Sequence, residues 1–181
     1  QAAQPEVWLE ATPLPEPLAA NLVQCPDDPN GYYMVGGILT GNVTTDQLSY
    51  YDVADGNWTT LAPMPAARRA VAATCYQGRI YVAGGVDYYI YDNFYIYDIG
   101  SNTWATGPNL PDIVWGAAMG AWDGKLYLVG GTRIGDPYTP ESRVDVFELA
   151  SWEWIAGGGQ DMPTAASFFG NVQTGQYLYA V

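Results

Sequence analysis

The sequence predicts an all-β chain made of stacked copies of one four-stranded antiparallel unit, and three observations predict it. The 181 residues are 49% hydrophobic and only 14% charged, with 15 Tyr, 7 Trp, 21 Gly and 13 Pro. That mix suits short strands joined by tight turns and suits helices poorly. Trp8, Trp58, Trp104 and Trp154 recur at separations of 50, 46 and 50 residues, a period that marks an internal repeat. Finally, no apolar run approaches the ~20 residues of a spanning helix, which excludes a helical membrane span.

Other markers keep one order around these tryptophans. Seven residues before the last three stand Tyr51-Asp52, Tyr97-Asp98 and Phe147-Glu148. Glycine pairs precede them at Gly36-Gly37, Gly84-Gly85 and Gly130-Gly131, and turn glycines come earlier, as in Gln77-Gly78 and Asp123-Gly124. Pro15, Pro65, Pro111 and Pro163 follow the tryptophans. In the second copy the spacing predicts strand A over Ala70–Tyr76, a hairpin turn at Gln77-Gly78, strand B over Arg79–Ala83, strand C over Phe94–Asp98 and strand D from Trp104. Such a sheet cannot hide both faces alone, so copies must stack around an axis.

The double glycine, aromatic-acid pair and tryptophan, at this period, resemble the kelch repeat over nearly the whole chain. The resemblance implies a kelch-type β-propeller: a partial ring of four-stranded antiparallel blades, with the A strands lining the channel. Residues 1–16 then form a lone outer D strand, Val7-Trp8-Leu9-Glu10. Residues 17–65, 66–111 and 112–163 form three blades, and 164–181 supplies strands A and B of an incomplete one. The third copy departs with Phe147-Glu148, and the first shows a longer A–B turn at Pro26-Asp27-Asp28-Pro29-Asn30. An arc of this kind reads as a fragment of a longer propeller, whose missing blades come from the same chain or another.

Composition also excludes chemistry. Six Lys+Arg against nineteen Asp+Glu give a net charge of −13, the opposite of a nucleic-acid binder. The chain has no histidine, which removes Ser-His-Asp and Cys-His nucleophiles, His-bearing zinc sites and His-ligated haem. It also argues against the copper centre found in some kelch-like oxidases. No cofactor and no metal are expected. The repeated Asp52, Asp98 and Glu148 read as turn or cap residues. The non-repeating Asp87, Asp92, Asp136 and Glu141 fall in B–C loops, where a glycosidase-like pair is a minor alternative, and Asp27-Asp28 and Asp87/Asp92 lack the spacing of a calcium loop.

Function is therefore expected in the loops. B–C and D–A loops share one face of a propeller. Single-copy aromatic and arginine residues concentrate there: Arg69 and Trp115 after Pro65 and Pro111, Tyr88, Tyr89 and Tyr91 in the second B–C loop, and Arg133 and Tyr138 in the third. Such residues make binding hot spots, and Tyr and Trp also stack on sugars. The expected function is a non-catalytic propeller binding protein or glycan through this face. Alternatives are a structural subunit of a surface assembly, or the non-catalytic part of a larger enzyme such as a carbohydrate-active one. Tyr88–Tyr91 equally read as an extension of strand C packed on the next blade. Arg68 stands where kelch repeats carry a structural arginine.

The acidic, lysine-poor composition, with Gln1 in place of an initiator Met, points to an exported, extracellular or cell-surface protein. Cys25 and Cys75 each follow a repeat tryptophan by 17 residues. On neighbouring A strands they are either a disulfide or two buried thiols. Asn42-Val43-Thr44 matches the glycosylation acceptor pattern in a B–C loop. Asn57-Trp58-Thr59 matches it at what reads as a turn.

Overall fold

The computed structural model describes residues 12–14, 18–133, 139–168 and 171–180. The strand expected at Val7–Glu10 lies outside the described residues. Three four-stranded antiparallel sheets follow one another in chain order. The first holds β1 (Leu18–Cys25), β2 (Asp28–Leu39), β3 (Val43–Asp52) and β4 (Asn57–Thr60). The second holds β5 (Ala72–Tyr76), β6 (Arg79–Ala83), β7 (Phe94–Asp98) and β8 (Thr103–Thr106). The third holds β9 (Ala118–Trp122), β10 (Lys125–Val129), β11 (Val144–Glu148) and β12 (Glu153–Ile155), and a hairpin of β13 (Asn171–Thr174) and β14 (Tyr177–Ala180) comes last. Among the described residues, no helix is long and apolar enough to cross a membrane.

The alternating strand pattern sends each sheet's side chains both ways, so hydrophobic cores form between blades. Val23, Tyr33, Val35 and Leu48 of the first blade meet Val71, Ile80, Val82 and Tyr97 of the second. Tyr81, Phe94 and Ile96 meet Met119, Leu126, Leu128 and Phe147 of the third. Ala118, Val129 and Val144 turn toward Leu178 of the hairpin. Within each blade the repeat aromatic and tryptophan are cross-strand partners. Their rings stand 4.7 Å apart for Tyr51–Trp58 and 5.1 Å apart for Tyr97–Trp104 and Phe147–Trp154. The indole N–H then reaches along the chain: Trp104 donates to Ala62 O, at the junction of the first two blades, at 2.8 Å, and Trp58 to Thr12 O, ahead of the first blade, at 3.1 Å.

The glycine pairs lock the loop that enters the next blade. Gly37, Gly85 and Gly131 donate their N–H groups to the carbonyls of Arg68, Val114 and Ala166 at 2.7, 2.8 and 2.9 Å. Their neighbours Gly36, Gly84 and Gly130 have φ of +56°, +62° and +63°, and a Cβ on any of them would run into that same carbonyl. The acids cap turns: Asp52 accepts from the N–H of Ala54 and Asp98 from that of Ser101.

Three local expectations need correcting. Ala70 precedes strand A, because its φ of 51° belongs to the loop and β5 begins at Ala72. In the first copy the A–B turn is no longer than elsewhere: Cys25 pairs with Asp28 across Pro26-Asp27, and the extra residues form a bulge in β2, since Gln24 already pairs with Tyr32. This bulge bears on the cysteines, whose equal distance from the tryptophans implied equivalent places. By register Gln24, opposite Tyr32, holds the place of Cys75, opposite Ile80. Cys25 is one step further on and points to the other side, as a one-residue slip requires. The two side chains therefore face each other, and a disulfide joins them with Cα atoms 5.0 Å apart.

Candidate functional site

The loops after the second strand of each blade and the loops between blades lie at one end of the molecule. In the second blade, Val86 forms a bridge to Ile90, and Asp87 N–H donates to Tyr89 O at 3.1 Å. This tight turn lifts Tyr88 and Tyr89 into solvent, 90% and 74% exposed. Val86 also exchanges two backbone hydrogen bonds with Arg69, so the tyrosine tip is anchored to the loop that carries Arg69. Strand C begins only at Phe94. The reading of Tyr88–Tyr91 as an extension of that strand therefore does not describe this tip. Tyr91 turns inward, its ring 4.1 Å beneath the Arg68 guanidinium, and it is half-buried rather than part of the rim.

Nearer the axis, a ladder of backbone hydrogen bonds crosses the blades. Gly116 N–H donates to Ala70 O at 2.9 Å, and Phe168 N–H donates to Gly116 O at 2.8 Å. Trp115 and Thr132 bond each other through both backbones. Phe168, 60% exposed at a φ of 56°, sets its ring edge-on against Trp115 at 4.8 Å and 89°. The indole Nε1 of Trp115 and the hydroxyl of Thr132 are buried without a hydrogen-bond partner. The sequence reading missed Phe168. It stands five residues after Pro163, as Ala70 and Gly116 stand after Pro65 and Pro111, and that count is the signal that places it here.

Arg133, expected on the rim, is buried at 3% exposure. Its Nε lies 3.2 Å from Glu141 and its Nη1 lies 2.9 Å from Asp145. Arg143 joins the same cluster at 2.6 Å from Asp112 and 2.9 Å from Asp145. The second blade holds Arg68 in a similar position, 1% exposed. Its guanidinium donates to Gly84 O, Asn93 Oδ1 and Tyr95 OH at 3.1, 2.7 and 3.0 Å.

Gly84 and Gly130 donate to the carbonyls of Asn93 and Arg143, which makes Glu141 and Asp145 the repeat equivalents of Tyr91 and Tyr95. The third blade has Val114 where the second has Arg68, and an arginine from the other loop fills the place. Burial pulls both guanidinium groups below their usual pKa, partly offset at Arg68 by Tyr95 and at Arg133 by Asp145. For Arg143 burial also lowers the pKa, but hydrogen bonds to Asp112 and Asp145 outweigh it and raise the value.

Arg69 is half-buried, and among the described residues its one side-chain hydrogen bond is a long 3.5 Å donation to Asn42 Oδ1. Asn42 itself is exposed in the β2–β3 turn, and Asn57 is the exposed first residue of β4, not a turn residue. Tyr138 and Asp136 lie outside the described residues. Asp92 accepts from Asn109 at 3.1 Å, and Asp28 accepts from the Tyr50 hydroxyl at 2.8 Å. Among the described residues no group of three His, Cys, Asp or Glu side chains is placed to hold a metal ion. Away from the loop face, an apolar cleft of about 410 Å³ opens on the side of the third blade, lined by Trp122, Tyr127, Val129, Val144, Met162 and Leu178.

The Kelch motif family matches residues 67–111, the second blade. Kelch-like protein 35 of Mus musculus is 30% identical over 80 residues, and Kelch-like protein 40 of the same organism is 35% identical over 79. Each alignment covers 44% of this chain, and the chain spans only 13% and 12% of those relatives. Among solved structures, that of YjhT superposes with a TM-score of 0.74 at 17% identity, over 96% of this chain and 60% of the other. At that identity the likeness is one of fold. Repeat markers, blade geometry and the motif in the second blade support the kelch-repeat family, and the chain folds as β-propeller blades.

Proposed function

We propose that the chain is a binding module of an exported protein, and that it holds a protein or glycan ligand on the face built by the β2–β3, β6–β7 and interblade loops without transforming it. One observation carries this reading. The tip at Tyr88 and Tyr89 exposes two large aromatic side chains on a turn fixed by backbone hydrogen bonds. A protein does not stabilise itself by holding such residues in water, whereas a preorganised aromatic surface lowers the entropic cost of binding. The non-catalytic part is supported by the absence of histidine from the sequence and by the engagement of Asp112, Glu141 and Asp145 in ion pairs. Export is supported by the disulfide between Cys25 and Cys75, since such bonds persist in oxidising compartments.

The test is a glycan array and a displayed peptide library screened with the intact chain and with a Tyr88→Ser, Tyr89→Ser variant. Both tyrosines are exposed, so thermal unfolding should be unchanged while retention falls at least tenfold. Equal retention by both proteins would refute the assignment.

A second reading, a structural subunit of a larger assembly, is favoured by the cleft on the third blade. At the preceding junction Phe94 meets Phe147 and Trp154 at 5.0 and 5.2 Å. Its repeat equivalent Val144 lines the cleft, which leaves room for the aromatic pair of another blade, from this chain or a neighbour.

A further inference from the structure

We infer that Arg69 anchors the carboxylate of a largely neutral, acid-bearing saccharide, with Tyr88, Tyr89 and Phe168 offering ring faces to its sugars. The inference rests on the binding reading above and names the ligand chemistry of that face. It begins with a census of cations. The sequence contains six, and four are ion-paired. Arg79 lies 3.3 Å from Asp98 and Lys125 lies 2.9 Å from Glu148, both at the opposite end of the blades. Arg133 and Arg143 are held by Glu141, Asp145 and Asp112.

Arg68 and Arg69 remain, with no carboxylate partner among the described residues. Arg68 is enclosed by neutral acceptors and two tyrosine rings. Among the described residues, Arg69 is the half-buried cation with no ion pair, its guanidinium making only the long bond to Asn42 Oδ1, on a molecule of net charge −13. An unpaired guanidinium offers a planar fork of donors suited to a carboxylate.

The surroundings favour a sugar over an acidic protein segment. The loop carrying Arg69 is bonded to the tip with Tyr88 and Tyr89, and Ala70 beside it accepts from Gly116, next to Trp115 and its partner Phe168. The exposed rings of Tyr88, Tyr89 and Phe168 are separate aromatic faces, which suit a ligand of linked rings that stack one by one. A stable protein partner needs roughly 800 Å² per side, and an acidic one would meet this chain's own negative charge across that area. A ligand with one carboxylate brings that charge to the Arg69 guanidinium alone.

The experiment is titration calorimetry of the intact chain with xylotriose carrying a single glucuronic acid, its methyl ester, unsubstituted xylotriose and the peptide Gly-Glu-Gly. The acid form should bind at least tenfold tighter than the ester. Arg69→Gln should remove that preference, and Arg79→Gln should preserve it. Equal affinity for acid and ester, a preference surviving Arg69→Gln, binding of the peptide but not the sugar, or no binding of any probe would each overturn the inference. If Tyr88→Ser, Tyr89→Ser weakens both sugar forms while Arg69→Gln does nothing, the carboxylate assignment fails and the face stands. If neither variant changes binding, both fail.

Discussion

Gly84 and Gly78 share a left-handed backbone, with φ of +62° and +71°, in opposite surroundings. A Cβ on Gly84 meets the Val114 carbonyl, while one on Gly78 meets nothing within 4 Å. Gly78→Ala should therefore cost about 1 kcal/mol, the price of the backbone conformation alone. Gly84→Ala should cost about 3 kcal/mol or more, because it also breaks the close approach of the next blade's loop. Urea unfolding of the two variants checks the difference, and equal losses would show that the glycine pair is only a turn device. At this scale the glycines and packing aromatics were legible because every copy repeats them. Arg133 was not. The repeat places an arginine at Arg68, and only tertiary packing shows that the third blade fills that place from another loop. Phe168 was not legible because its place follows from the count after Pro163 and not from any strand pattern.

Strands β6 and β7 of the second copy begin and end where apolar alternation and turn residues put them, at Arg79–Ala83 and Phe94–Asp98. The β2 bulge was illegible, since counting residues from a tryptophan assumes that no insertion intervenes. Near that bulge the Tyr33 and Tyr50 rings meet at a tilt, with centres 4.9 Å apart. Burial first, then the neighbouring Asp28 carboxylate, pushes both hydroxyls up to about 12 from 10.0. A proton held more tightly in the folded state stabilises it below the unfolded pKa and ceases to do so as pH climbs through the folded value. Stability should thus be flat with respect to these groups below pH 10 and fall between about 10 and 12. Tyr33→Phe, Tyr50→Phe should flatten that decline in a pH series of thermal melts. An unchanged slope would place the alkaline transition elsewhere.

For the whole molecule, the fold was legible because each blade repeats the same solution to burying a two-sided sheet. The binding face was only half legible. Sequence showed which residues are peculiar to one copy, but not which are exposed. Of the rim candidates within the described residues, Tyr88 and Tyr89 reach solvent, Arg69 and Trp115 sit half-buried beside them, Tyr91 lies under Arg68, and Arg133 is enclosed by carboxylates. The disulfide adds a covalent tie between the first two blades, closing a loop of 50 residues. In the chain-entropy picture such a closure stabilises by about 4 kcal/mol. It holds β1 against β5 at the A–B turn end, opposite the loops that present Asn42 and Arg69.

The central claim is that one end of the blades binds and the other does not. The most direct measurement is hydroxyl-radical footprinting of the chain with and without its best-retained ligand. Protection should appear at Tyr88, Tyr89 and Phe168 and be absent at Trp122 and Trp152, which are also open to solvent elsewhere, at 45% and 43% exposure. Protection of Trp122 or Trp152, with the tyrosine tip unchanged, would contradict it.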